Sequence, residues 1–445
     1  MAMIKEILST LALAIIPFSF SYGQERGLLD EEDLTFLEGL TKVVIDSSTV
    51  EPEKKINDKF GPNSSGGALI TPGGRGCYPS FWIRDYAMSL DCGMIDRKSQ
   101  LHHLLLTAST QCTKTWTTKN GSTVPFGAIA DHIRIDDLKP IYFPGTYSYE
   151  EQGTEQWGKT PPYTDQYCFI HMAYVYVRQF GMKSILKKEI KGNRLIDRME
   201  WAFNRVPADP QTEIVVTTND NRAVDFGFRD AVKILGKLSI ASVFKYRASK
   251  EMEELFTMIG DQEKAKHYGN IAALLKNNIP EVFVNEKGLL IAGTEMSRQG
   301  DVWSTALAVY YGILEGKDKE KACRALLDGY QNGTLSYKGN IRHVMTDDDF
   351  SEVKVWEGGS AKGRYQNGAY WGTPVGWVCH AIAQVDESAA KRLAKEYIDE
   401  LREDDFRKGG SFGAPYECFT STYSQNPIYM TSVSVPLSCF LRGDK

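Results

Sequence analysis

The chain has 445 residues, of which 42% are hydrophobic and 24% charged, with 39 Gly and 17 Pro. This composition excludes disordered and collagen-like classes and allows one large core or two ordinary domains. The formal net charge is -5, and there is no run of Lys and Arg interleaved with aromatics, which argues against nucleic acid as a partner.

The opening MAMIKEILSTLALAIIPFSFSYGQ places Lys5 before an apolar stretch that ends in the small-residue triplet Ser21-Tyr22-Gly23. That order predicts a secretory signal peptide over residues 1–23 and a secreted or periplasmic mature chain. The stretch is shorter than the ~20 apolar residues a membrane span needs and contains Pro17. No membrane anchor is therefore expected after cleavage. The eight cysteines (Cys77, Cys92, Cys112, Cys168, Cys323, Cys379, Cys418 and Cys439) show no C-x-x-C and no zinc-spaced His, so few disulfides or none are expected and no zinc site.

Helical periodicity recurs along the rest of the chain. The predicted helices run, in order, over 30–44, 85–93, 99–115, 165–180, 185–203, 228–259, 262–279, 302–314, 318–331, 372–384, 388–401 and about 427–441. Several pair an apolar helix with a charged amphipathic one, as DVWSTALAVYYGIL precedes KDKEKACRALLDGY. A double ring of helices needs this pattern, because inner helices are buried nearly all round and outer ones keep a polar face. The expectation is an all-α (α/α)6 toroid forming one domain over 24–445, with long loops shaping a pocket. Those loops are rich in Trp, Tyr, Gly and carboxylates. Rings suit the C–H faces of a sugar and carboxylates its hydroxyls, so an oligosaccharide or polysaccharide is the expected partner.

Four loop segments carry the chemistry: FWIRDYAMS, NRAVDFGFRDAV, RYQNGAYWGTPVGW and FGAPYECFTST. In this order they resemble the six-hairpin glycosidase clan that includes glucoamylase, trehalase and the processing α-glucosidases. The resemblance spans roughly Pro79 to the C-terminus and implies an exo-acting inverting glycoside hydrolase, which needs one carboxylic acid and one carboxylate base. VDFGFRD is similar to the segment holding the general acid, which carries that role to Asp225. PYECF is similar to the segment holding the general base, which carries that role to Glu417. Across the four segments, substrate contacts are expected at Trp82, Arg84, Asp85, Arg229, Gln366, Asn367, Trp371 and Tyr416.

Other readings stand beside these. Asp225 suits a helix N-cap, Asp230 is the main rival for the acid, with Glu213 and Glu295 behind it, and Arg84 with Asp85 suits a structural ion pair. Asp131, His132, Asp136 and Asp137 gather oxygen ligands, but not at the spacing of a calcium loop. TDDDF at 346–350 reads as a solvated turn, and His102, His103 and His171 as core or solvated histidines. No phosphate loop, dinucleotide fingerprint or serine nucleophile elbow is present, and no cofactor or metal is expected. A polysaccharide lyase or unsaturated-uronyl hydrolase is the first alternative. It would draw on Tyr142, Tyr147 and His132; separately, a uronate substrate would find carboxylate partners in Arg84, Arg134 or Arg364. A non-catalytic glycan-binding protein is the second.

Overall fold

The computed structural model describes residues 27–74, 76–224, 230–350, 361–409 and 413–442. The predicted leader, together with Asp225 and Arg229, lies outside them.

Twelve α-helices appear among the described residues: α1 Glu31–Ser48, α2 Ile83–Ser89, α3 Arg97–Thr110, α4 Tyr163–Phe180, α5 Leu195–Asn204, α6 Ser239–Ile259, α7 Gln262–Phe283, α8 Val302–Tyr310, α9 Gly316–Gln331, α10 Val375–Ala383, α11 Glu387–Glu403 and α12 Thr431–Arg442. The even-numbered helices close a ring, since α2 packs on α4, α4 on α6, α6 on α8, α8 on α10, α10 on α12, and α12 back on α2. The odd-numbered ones lie outside it, with α7 against α6, α9 against α8 and α10, α11 against α10, and α1 against α12. The fold is an (α/α)6 toroid.

Side-chain chemistry explains which helix goes where. All seven residues of α2 are buried, as is every residue of α8 from Val302 to Val309. Such helices have no polar face to give to water and must sit inside. In α11 the buried positions Ala389, Ala390, Leu393, Ala394, Tyr397, Ile398 and Leu401 form one stripe at helical spacing, so it seals the ring from outside. Aspartate side chains cap the first turns of α1, α3, α7, α8 and α11, at Asp30, Asp96, Asp261, Asp301 and Asp386. Each accepts from an otherwise orphaned backbone N–H.

Two expected helices are shorter in the structure. The stretch predicted from 185 becomes a 3-10 turn, a two-stranded hairpin and then α5, because Gly192 takes φ 80° and turns the chain back. The stretch predicted from 228 begins its helix only at Ser239, after Gly236–Lys237 has paired with Val216–Thr217. Of the cysteines, Cys92, Cys112, Cys168, Cys323, Cys379 and Cys418 are buried thiols, which fits packing as small hydrophobes.

Candidate active site

Segments that precede the inner helices build a cavity of about 430 Å³. This lies within the range of small-molecule sites. Tyr78, Trp82, Arg84 and Asp85 reach it from the start of α2, and Tyr147 and Trp157 from the loop before α4. Asp230 reaches it from the segment before α6, Tyr365 from the loop before α10, and Glu417 and Tyr429 from the chain before α12. Gly145 at φ 83° lets its loop close over Trp157, whose indole a Cβ at that position would strike.

Glu417 is 1% exposed and stands on the strand Tyr416–Phe419, which pairs antiparallel with Ser424–Pro427. Its Oε2 accepts from the Tyr78 hydroxyl at 2.7 Å and from the Asn426 amide, and its Oε1 accepts from the Tyr365 hydroxyl at 2.9 Å. Burial pushes its carboxyl up to about 7, against the pull of these three donors. A group titrating there works as a base near neutrality. Burial outweighs the three donors around the carboxylate. Tyr365 and Asn426 hold their backbones at φ 40° and 43°, uncommon for residues other than glycine and typical of functional sites.

Asp230 lies in the same cavity. Gln366 donates its side-chain amide to it and accepts from the Ala231 N–H at 2.6 Å. Burial raises the Asp230 carboxyl above its ordinary value, with Arg84 opposing and Asp131 reinforcing, which favours the protonated form. Asp85 accepts from the Tyr429 hydroxyl at 2.6 Å, and burial carries it up to about 6.

Arg84 is held from behind. It donates to Asp131 at 2.7 Å and faces Asp165 at 3.5 Å. Burial works against the guanidinium charge, but Asp131 and Asp165 outweigh it and raise its pKa. Asp131 is held below the usual carboxylate range, because Arg84 and His132 overcome burial. Asp165 goes the other way, driven up by burial with Asp131 and Asp85 adding to it.

The structure therefore brings together Trp82, Arg84, Asp85 and Glu417 of the residues expected from sequence, adds the rival Asp230, and places Gln366 behind it. Three expected substrate contacts sit elsewhere. Tyr416, next to Glu417 on a strand, points to the other face and donates to Asp404 at 3.2 Å. Asn367 accepts from the Phe350 N–H at 2.6 Å, and Trp371 packs behind Tyr365 with ring centres 5.3 Å apart. Both are fully buried, and neither lines the cavity.

The alternatives change as well. Asp131 and Asp136 are taken up by Arg84 and Arg134, and no cluster suited to a metal ion occurs among the described residues. Of the arginines proposed for a uronate, Arg134 pairs with Asp136 at 2.8 Å and Arg364 stacks over Tyr423. Tyr142 donates to the Thr110 carbonyl at 2.8 Å. No helix among the described residues is long and apolar enough to cross a membrane.

No protein-family model matches this sequence, and no curated protein sequence matches it. Solved structures do. Glucoamylase from Saccharomycopsis fibuligera aligns over 94% of this chain and 96% of its own at 11% identity, with a TM-score of 0.56. A rhamnosidase from Klebsiella oxytoca with rhamnose bound aligns over 94% of this chain and 64% of its own at 13% identity, TM-score 0.54. A further glycosidase aligns over 93% and 99% at 11% identity, TM-score 0.54. At such identities the likeness is one of architecture, and the chain has the six-hairpin (α/α)6 toroid found in these glycosidases.

Proposed function

We propose that this chain is a glycoside hydrolase that removes a terminal sugar from an oligosaccharide or polysaccharide with inversion. The observation that carries the reading is the pairing of Glu417 and Asp230 in one cavity. Glu417 is buried and gripped by three donors as a base, and Asp230 is half-buried with its carboxyl biased toward the protonated form. Inverting hydrolysis needs such a pair, one carboxylate to activate water and one carboxyl to protonate the leaving oxygen from the opposite side. In this account Glu417 takes a proton from the water that attacks the anomeric carbon. The water oxygen bonds to that carbon as the glycosidic bond breaks, and Asp230 gives its proton to the departing oxygen. Asp85, Arg84 and Trp82 bind the sugar. The size of the cavity, suited to a sugar residue rather than a long chain, supports exo action. The leader-like residues 1–23 support a secreted or periplasmic location.

For the acid there are two assignments. The sequence resemblance names Asp225, which lies outside the described residues, and Asp230 lines the described cavity; the Asp225→Asn and Asp230→Asn variants decide between them.

The test is a panel of p-nitrophenyl glycosides of D-glucose, D-mannose, D-galactose and L-rhamnose in both anomers, with oligosaccharides of the same sugars. The wild type, Glu417→Gln, Asp230→Asn and Asp225→Asn are compared. Hydrolysis by the wild type, with losses of ~10²-fold or more in Glu417→Gln and Asp230→Asn and less in Asp225→Asn, is the expected outcome. A larger loss in Asp225→Asn than in Asp230→Asn returns the acid role to Asp225. Full activity in Glu417→Gln contradicts the mechanism.

A further inference from the structure

Asp131 and His132 take no part in the proton transfers above, yet both are fully buried directly behind the cavity wall. His132 faces Trp82 across the antiparallel strands Ser80–Trp82 and His132–Arg134. Its imidazole stacks on the Trp82 indole at 4.2 Å with 14° between the planes. Asp131 accepts from two groups, His132 Nδ1 at 2.8 Å and Arg84 at 2.7 Å. One carboxylate thus fixes the imidazole behind the Trp82 ring and the Arg84 cation, and Trp82 and Arg84 both line the cavity.

We propose that Asp131 and His132 are positioning residues that set Trp82 and Arg84 as the wall against which the terminal sugar packs; this rests on the carbohydrate reading above. An indole alone turns about two side-chain torsions. Here one face of the ring is covered by His132, itself held by Asp131, while Tyr78 and Tyr147 meet it in edge geometry at 5.0 and 5.7 Å. The ring is therefore already oriented before a sugar arrives. Less order is lost on binding, and the gain falls on affinity rather than on the chemical step. The ligand class is a pyranose, whose C–H face lies on the indole while its hydroxyls reach Arg84 and Asp85.

The experiment is a double-mutant cycle between His132→Ala and Trp82→Ala, using the p-nitrophenyl glycoside that the wild type cleaves fastest. His132→Ala is expected to raise KM about tenfold, a loss of the size an aromatic contact supplies, with kcat and the pH dependence of the rate little moved. The double variant should be no worse than Trp82→Ala, because His132 acts through that ring. His132→Phe, which keeps a ring in the stack, should recover most of the loss. Asp131→Asn, which keeps the shape, should show the same KM-dominated effect and serves where His132→Ala folds poorly. Additive losses in the double variant overturn the proposal, as does an unchanged KM or a phenylalanine variant as impaired as the alanine one. If the wild type cleaves no glycoside in the panel, the carbohydrate reading itself falls and takes this proposal with it. If glycosides are cleaved and the cycle is additive, only the proposal falls.

Discussion

The Tyr365 hydroxyl donates to Oε1 of Glu417 at 2.9 Å, and Tyr365 does so from a backbone at φ 40°. Removing this donor leaves Glu417 buried with fewer groups to stabilise its charge, so its carboxyl must titrate higher still. A base has to be ionised to act. The Tyr365→Phe variant is therefore expected to move the acid limb of the kcat/KM profile from near pH 7 to higher pH by about one unit, the scale of a lost hydrogen bond to a charge. A limb left in place separates Tyr365 from the base.

Burial of Glu417 also has a cost in stability that depends on pH. Its folded value near 7 lies above the ordinary 4.5, so the folded state holds the proton more tightly than the unfolded one. Stability is then favoured below about pH 4.5 and lost as the pH rises through 7. The gap between wild type and Glu417→Gln in urea unfolding should widen in favour of the variant by on the order of 3 kcal/mol from pH 4.5 to 7.5. A gap that stays constant over this range rules the account out.

His171 loses stability in the same direction for the opposite reason, because here it is the charged form that the fold favours. It lies between Glu251 at 2.6 Å and Asp91 at 3.3 Å. Burial and Arg247 oppose its charge, but the two carboxylates prevail and raise its pKa. Its contribution is full below the ordinary value of 6.5 and fades as the pH rises through the raised one. His171→Phe should lower the melting temperature more at pH 6 than at pH 9, and an equal loss at both shows that the charge is idle.

Gly145 is a steric test of the cavity wall. Alanine there combines a left-handed backbone with a collision against Trp157, and each such strain costs about 1–3 kcal/mol. Gly145→Ala should melt earlier and hydrolyse more slowly, with a shift in tryptophan fluorescence. Wild-type values for all three would mean that this loop carries no such constraint.

Much of the architecture was legible because inner and outer helices differ in how far round they are apolar, as α8 and α11 do. That Glu417, Arg84 and Asp85 share one cavity was legible because each sits in a short segment with a recognisable neighbour. The three donors around Glu417 were not. Tyr78, Tyr365 and Asn426 come from loops brought together only when the ring closes, and an isolated tyrosine in an aromatic loop carries no mark of its partner. Tyr365 did lie within the segment RYQNG, one residue from Gln366. Tyr416, Asn367 and Trp371 fell on the wrong side for a related reason: proximity in sequence to a site residue does not say which face of a strand or loop a side chain takes. The boundaries of α5 and α6 were missed because the hairpins before them are set by a positive-φ glycine and by pairing with a distant strand.

The central claim is that Glu417 delivers water to one face of the sugar while an acid protonates the leaving group on the other. The most direct measurement is proton NMR of the first minutes of hydrolysis, before the released sugar equilibrates between anomers. The account predicts that the first anomer released has the configuration opposite to the bond cleaved, and that its formation is lost in Glu417→Gln. Release of the same configuration, or undiminished release by the variant, contradicts it.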